Sequence, residues 1–394
     1  MRMQNTRLLI RNGKILTMAG QTIENGCILC LGRKIAAIAE NIDAQDCQVI
    51  DAEGGWIMPG IIDAHSHIGI TEEKKGIEGD DCNESMEPIT PQLRAIDAIN
   101  PMDSAFHTAI ASGITSVMVG QGSANVVGGQ FAFIKTFGRQ IDKMIVLAPA
   151  AMKVAFGENP KSTYGNLSAM PSTRMSIAAM LRQELFEAKQ YYLSKKQAET
   201  EGKSIQEDFE YECWLPVFEK AIPLKAHVHR VDDIFTAIRI AKEFDLLLTL
   251  DHCSEGHLVA PDIKNSGFPA IVGPNLASRN KIEVQFMNFK TIGVLANAGV
   301  KVAITTDHPV TRINCLPICA GLAVKEGLPF DEGLKAITIN AAEICRVSHC
   351  LGSLEVGKDA DIAVFDGNPM EVFTRTLYTI IDGQIVYEKG KFRN

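Results

Sequence analysis

The segment Asp63-Ala-His65-Ser-His67 follows the apolar run Gly60-Ile-Ile. Side chains alternate faces along a strand, so in an extended segment Asp63, His65 and His67 project to one side. Two imidazoles at that spacing can ligate one metal ion. A lone histidine is usually a satisfied core or surface residue, but here the pattern recurs. KAHVHR supplies His227 and His229, again two apart, LLLTLDHC carries His252, and VAITTDH ends in Asp307 and His308. Six of the nine histidines therefore fall at or just beyond the ends of strand-like runs, or seven with His257. Packing gives no reason for that clustering. Nitrogen ligands with a carboxylate suit zinc, and less specifically manganese, iron or nickel.

The elements that would position these groups lie between residues 58 and about 349, where strand-like and helix-like segments alternate. The expected strands are IIDAHSH, ITSVMVG, FAFIKTF, MIVLAPAAM, PLKAHVH, LLLTLDHC, AIVG and VKVAITTDH. Several are continuous apolar runs, as parallel strands buried on both faces should be. A long helix is expected from Ser172 to Glu199, capped by Ser172 or Thr173, with Ile177, Met180, Leu181 and Leu185 on one face. Eight such strands match the size of a (β/α)8 TIM barrel with insertions at 72–90 and 186–212, and an open doubly wound sheet fits the alternation nearly as well. The first 55 or so residues read as short strands, with a hairpin turn at Asn12-Gly13, and the last 40 repeat that grammar around Asp-Gly turns. The two ends can pair into one small sheet domain.

Composition narrows the partners. The 394 residues carry 47 acidic against 39 basic side chains, a formal net charge of -8, so no broad basic surface for nucleic acid is expected. No apolar run reaches the roughly 18 residues of a membrane span. The opening MRMQNTRLLIRNGKI lacks a long apolar core and a small-residue cleavage site, so a cytoplasmic location is expected. Ten cysteines are too sparse for a disulfide scaffold, and Cys27 with Cys30 read as buried thiols in a strand.

GxIDxHxH after a strand-rich amino-terminal segment, the later strand-end histidines, the last-strand Asp and the tail GSLEVGKDADIAVFD together resemble the amidohydrolase superfamily over essentially the whole chain. The resemblance points to its imidazolonepropionase and dipeptidase-like branch. It implies a (β/α)8 barrel over 58–349 and a small β-sandwich domain formed by residues 1–57 and 350–394. It also implies one or two divalent metals, foremost zinc, that activate water to hydrolyse a carbon–nitrogen bond in a small-molecule substrate; a homo-oligomer would fit the family.

Carried over by position, His65 and His67 match the first-strand ligands and His252 the sixth-strand ligand. Asp307 matches the last-strand carboxylate, both metal contact and proton shuttle. The fifth-strand ligand is His227 or His229; the family usually uses the first histidine, which favours His227 and leaves His229 for substrate. Many binuclear members place a carboxylated lysine on the fourth strand, and others a glutamate. In AMKVAFGENPK, Glu158 beside the glycine where the strand should end is taken as the bridge, with Lys153 the chief rival and Lys161 third. Asp63 is expected to orient a ligand histidine, and Arg230 or Arg279 to meet a substrate carboxylate. Gly120-Gln-Gly-Ser-Ala-Asn125 reads as a mobile loop over the site, and His107 and His349 as structural. Two other readings stand beside hydrolysis: a barrel kept as a binding scaffold, and a nucleotide-dependent oxidoreductase on an open sheet.

Overall fold

The computed structural model of the chain describes residues 7–73 and 76–393. Its strands in chain order are β1 (Arg7–Leu16), β2 (Thr22–Leu31), β3 (Lys34–Ala39), β4 (Gln48–Asp51), β5 (Trp56–Pro59), β6 (Ile61–Ser66), β7 (Ile114–Val119), β8 (Val127–Lys135) and β9 (Ile145–Ala155). They continue with β10 (Leu224–Val228), β11 (Leu248–His252), β12 (Ala270–Val272), β13 (Val302–Ile304), β14 (Ile362–Phe365), β15 (Thr376–Ile381), β16 (Gln384–Glu388) and β17 (Lys391–Phe392).

Both chain ends enter one nine-stranded sheet, ordered β17-β16-β15-β14-β5-β1-β2-β3 with β4 beside β1. β5 and β14 join the two halves as an antiparallel pair, from Trp56 opposite Phe365 to Pro59 opposite Ile362. Asp382-Gly383 makes the turn between β15 and β16, both residues at positive φ, as a two-residue hairpin requires. Asn12-Gly13 does not make the turn its composition suggests. It lies inside β1, where the register with β2 shifts between Ile10 and Gly13 and Asn12 takes φ 58°, a bulge rather than a hairpin. A side chain at Gly13 would meet Ile57 Cδ1 at 2.6 Å, so β5 packs against a position only glycine fits.

The second sheet has eight strands in the order β13-β12-β11-β10-β9-β8-β7-β6 and is nearly closed on itself. All eight strands anticipated from the apolar runs are present. β7, β8, β10, β11, β12 and β13 are buried at every residue, the mark of strands covered on both faces. One departs from a uniform barrel: β8 runs antiparallel to both β7 and β9. Residues 120–126 and 136–144 are too short for the dozen or more residues of a parallel crossover, so the chain turns back on itself twice. The expected long helix spans Arg174–Thr200, with the Thr173 hydroxyl accepting from the Ser176 N–H as its cap.

Closure between β13 and β6 uses side chains instead of a regular ladder. Asp63 is fully buried; its carboxylate accepts from the Thr305 hydroxyl at 2.7 Å, the Thr306 N–H at 3.2 Å and the Thr306 hydroxyl. The His67 N–H donates to the His308 carbonyl at 2.8 Å across the same seam. Among the described residues, no helix is long and apolar enough to cross a membrane.

Removing a buried acceptor strands the donors around it, each at a cost of about 1–3 kcal/mol. Asp63→Ala is therefore expected to lower the unfolding free energy by about 2–4 kcal/mol in urea titration. Asp97→Ala, which removes an exposed pair with Arg94, should change it by less than about 1 kcal/mol. Equal effects of the two would dismiss the seam as a structural joint.

Candidate metal centre

The carboxyl ends of the barrel strands open into a cavity of about 510 Å³ lined by His65, His67, Lys153, His227, His229, His252 and Asp307. Four of the imidazoles are oriented through Nδ1. His65 Nδ1 meets Asp251 Oδ2 at 2.6 Å, His67 Nδ1 the Gly120 carbonyl at 2.6 Å, His252 Nδ1 the Gly273 carbonyl at 2.7 Å and His229 Nδ1 the Ser254 hydroxyl at 2.8 Å. A carbonyl or carboxylate accepts only, so Nδ1 of His65, His67 and His252 carries the proton and donates. That tautomer leaves the Nε2 lone pair for the cavity, the arrangement metal-binding histidines use.

Two groups of ligand atoms result, His65 with His67 and Asp307, and His227 with His229 and His252, the atoms of each within 4.8 Å of one another. Asp307 Oδ1 stands 3.2 Å from His67 Nε2 and 3.5 Å from His65 Nε2, yet Asp307 Oδ1 and His65 Nε2 have no aligned hydrogen-bond partner. Burial and neighbouring positive charge hold His65, His227 and His252 well below the usual imidazole range, so all three are neutral donors of a lone pair. Burial would raise Asp307, but the neighbouring His67 and Lys153 outweigh it and hold its carboxyl below the usual carboxylate range. Burial would lower His67, but Cys82 and Asp307 raise it to about 10, so a cation at its Nε2 must displace a proton. Buried acceptors without donors around a shared space, on neutral imidazoles, fit a divalent cation.

The backbone is strained at these residues. His252 takes φ 75° and Asp307 φ 53°, left-handed values that side chains other than glycine rarely adopt. Gly273, whose carbonyl orients His252, could not carry a side chain, because its Cβ would lie 2.1 Å from the Thr305 carbonyl oxygen.

The carboxylate and lysine candidates are placed differently from the sequence reading. β9 ends at Ala155, and Gly157, φ 84°, begins the helix Glu158–Asn166. Lys153 lies on β9, opposite Gly129 and Lys225, and is buried over the Phe131 ring at 5.5 Å. Burial lowers it to about 8. Glu158 and Lys161 line an adjacent cavity together with Arg230. Arg230 pairs with Asp232, and Arg279 donates to the Met287 carbonyl. Asp63 serves the β13 seam and touches His65 only through its backbone N–H. Gly122, Ser123 and Ala124 line the histidine cavity, but the loop is pinned. Gly122 N–H donates to the Cys82 carbonyl at 2.7 Å, and Asn125 to the Glu87 carbonyl at 2.7 Å. It leads into β8 with no helix opening there, unlike a dinucleotide-binding turn.

Three residues that the sequence reading passed over shape the site. Asp251 orients His65 and is itself held by Lys225 Nζ at 2.8 Å and the Thr249 hydroxyl at 2.9 Å. Lys225 also donates to the Ala64 carbonyl at 2.9 Å. Both left a signal, a charged residue inside a strand that is otherwise apolar, with Lys225 two residues before His227. Glu283, buried 3.7 Å from His227 Nε2, left none.

Residues 56–386 match the model of the amidohydrolase family. A solved amidohydrolase from Thermotoga maritima MSB8 superposes with a TM-score of 0.94 at 38% identity, covering 97% of this chain and all of that one. The amidohydrolase tasK of Hapsidospora irregularis is 28% identical over 93% of this chain, which spans 39% of that protein's length. The imidazolonepropionase of Rhizorhabdus wittichii is 24% identical over 91% of this chain and 93% of its own.

Asp251→Asn preserves shape and removes only the charge shared by His65 and Lys225. It should weaken divalent-cation affinity by about 10–100-fold while the circular dichroism spectrum stays unchanged. Unaltered affinity in a competitive chelator titration would show that Asp251 does not tune the site.

Proposed function

The chain belongs to the amidohydrolase family, and we propose that it is a metal-dependent hydrolase that opens a carbon–nitrogen bond in an amide, a cyclic amide, a dipeptide or an amidine. The observation that carries this reading is the convergence of five Nε2 atoms and the Asp307 carboxylate on one cavity, most of them fixed from behind by an Nδ1 bond. His65, His67 and Asp307 would hold one cation, and His227 and His252 a second. Imidazole nitrogen with carboxylate oxygen favours zinc.

Cations held by these residues would supply Lewis acidity, lowering the pKa of water and polarising the carbon under attack. Asp307 accepts the proton of the attacking water and delivers it to the departing nitrogen, base and then acid. Its carboxyl, held below the usual carboxylate range, suits the first role. Lys153 is the favoured fourth-strand ligand. Its amine, lowered to about 8 by burial, has a substantial neutral fraction near pH 7–8. That amine can add to the carbon of CO2 with loss of one proton, giving a carbamate anion whose oxygens would be further cation ligands. The position of Glu158 in the neighbouring cavity speaks against it as the bridge. Apolar residues from both chain ends, among them Ile10, Ile28, Ile57, Val364 and Ile380, form one cluster. That supports residues 1–57 with 350–394 as one small domain and 58–349 as the barrel.

Elemental analysis of freshly purified protein should find two divalent cations per chain, falling to one or none in Lys153→Ala and unchanged in Glu158→Ala. Protein that takes up no cation, even after incubation with zinc or manganese, sinks the hydrolase reading and leaves a binding scaffold. Asp307→Asn should retain at least one cation and lose about 10²–10⁴-fold in kcat on any amide substrate found by screening. A parallel loss of both cations would make Asp307 chiefly a ligand.

A further inference from the structure

Asn159 lies in the first turn of the helix Glu158–Asn166, just past the end of β9. Its side chain lines the histidine cavity together with Ser123, His227 and Lys281. The orientation of its amide is decided by its neighbours. Lys281 Nζ hydrogen-bonds one end, and an ammonium can only donate, so that end is Oδ1. The NH2 end therefore faces Ser123 Oγ at 2.6 Å and His227 Nε2 at 3.4 Å. The first contact is a full hydrogen bond and the second a long, weak one. Ser123 comes from the turn between β7 and β8, and Lys281 from the segment between β12 and β13, so distant parts of the chain fix one amide. The Lys281 charge is balanced by Glu283, whose Oε1 lies 3.8 Å away and accepts no hydrogen bond from it.

One donor is left over. His227 Nε2 has a single lone pair, and in the metal-dependent reading that pair goes to a cation. The second N–H of Asn159 then lacks an acceptor, which is unfavourable in a closed site. A substrate oxygen beside His227 would supply one. A carbonyl oxygen carries two lone pairs and no proton, so it matches. The reacting carbon of an amidine carries nitrogen instead, and the N–H groups and positive charge of an amidinium would oppose both the Asn159 N–H and the Lys281 ammonium.

We infer that Asn159 is a catalytic residue whose Nδ2 donates to the oxygen on the carbon under attack, that Lys281 and Ser123 position it, and that the substrate is an acyl compound (an amide, a cyclic amide or a dipeptide) and not an amidine. The inference rests on the metal-dependent hydrolase reading above and narrows its substrate class. Negative charge gathers on that oxygen as water adds, so the hydrogen bond strengthens toward the transition state. The ammonium drawing on Oδ1 makes the Nδ2 protons better donors.

The test uses full-length protein loaded with zinc, with cation content read by elemental analysis in every variant. Asn159→Ala and the volume-preserving Asn159→Leu should keep the wild-type cation content. Both should bind acetohydroxamate, a small carbonyl probe, at least about tenfold more weakly in calorimetric titration. On the best substrate from a panel of N-acyl amino acids, dipeptides, cyclic amides and amidines, they should lose about 10²–10³-fold in kcat with a smaller change in KM. Lys281→Met should lose less, and combining it with Asn159→Ala should cost nothing beyond Asn159→Ala alone, because the lysine acts through the amide. Wild-type probe affinity in both Asn159 variants at full cation content overturns the inference, with or without a substrate from the panel. Loss of cation in both variants also overturns it, making Asn159 a support of the metal centre, and so does a wild-type preference for amidines. Wild-type protein that takes up no cation overturns the metal-dependent reading with it.

Discussion

The site depends on how the barrel closes. β13 and β6 meet without a regular ladder, and the seam is held by one buried carboxylate, Asp63, that takes both hydroxyls of Thr305 and Thr306 and a backbone N–H. That joint places the residue after Thr306 beside the residues after Asp63. Asp307 Oδ1 thereby stands within 3.5 Å of both His65 and His67. Asp307 itself takes a left-handed backbone, a strain of order 1–3 kcal/mol that the surrounding bonds must outweigh. Closure and chemistry are thus one constraint: the two ends of the barrel bring together the acid and the imidazoles.

A second layer of buried charge holds the imidazoles still. Lys225 and Asp251 lie inside the barrel where an isolated ion would be prohibitively costly, and each is satisfied by the other. Asp251 in turn fixes His65, while carbonyls of Gly120 and Gly273 fix His67 and His252. The carbonyls come from the turns after β7 and β12, so the histidines are oriented by neighbouring strands as much as by their own. Charge–charge pairing this deep stabilises little in net terms, but it selects one rotamer for each ring.

The reversal of β8 follows from chain length. Short links on both sides of β8 cannot carry a helix over the sheet, so the strand runs backwards. One consequence reaches the site: the turn from β7 into β8 is packed under residues 82–87 instead of free to swing. A glycine-rich segment that looks mobile as a sequence becomes a fixed wall of the cavity.

Alternation of apolar runs and the two-residue spacing of histidines were sufficient to locate eight barrel strands and to mark His65, His67, His227, His229, His252 and Asp307 as strand-end residues, because both signals are local. The pairing of the chain ends was legible too, since neither end has apolar surface enough to stand alone. The end of β9 was not. A strand ending two residues earlier than expected separates Lys153 from Glu158, and the Glu158 N–H beyond that end is held by Glu283, 125 residues on in the chain. Nor could Asn12-Gly13 be told from a turn, since the same dipeptide serves a bulge when β5 packs on it. Asp251 and Lys225 were visible as charges in apolar runs, but their partners are 186 and 161 residues away in the chain, at His65 and Ala64. The sequence by itself determined which groups could do chemistry and at which strand ends they stand. The tertiary structure alone decided which of them share a cavity, and which ring nitrogen faces it, because those follow from closure of the sheet and from hydrogen bonds between distant segments.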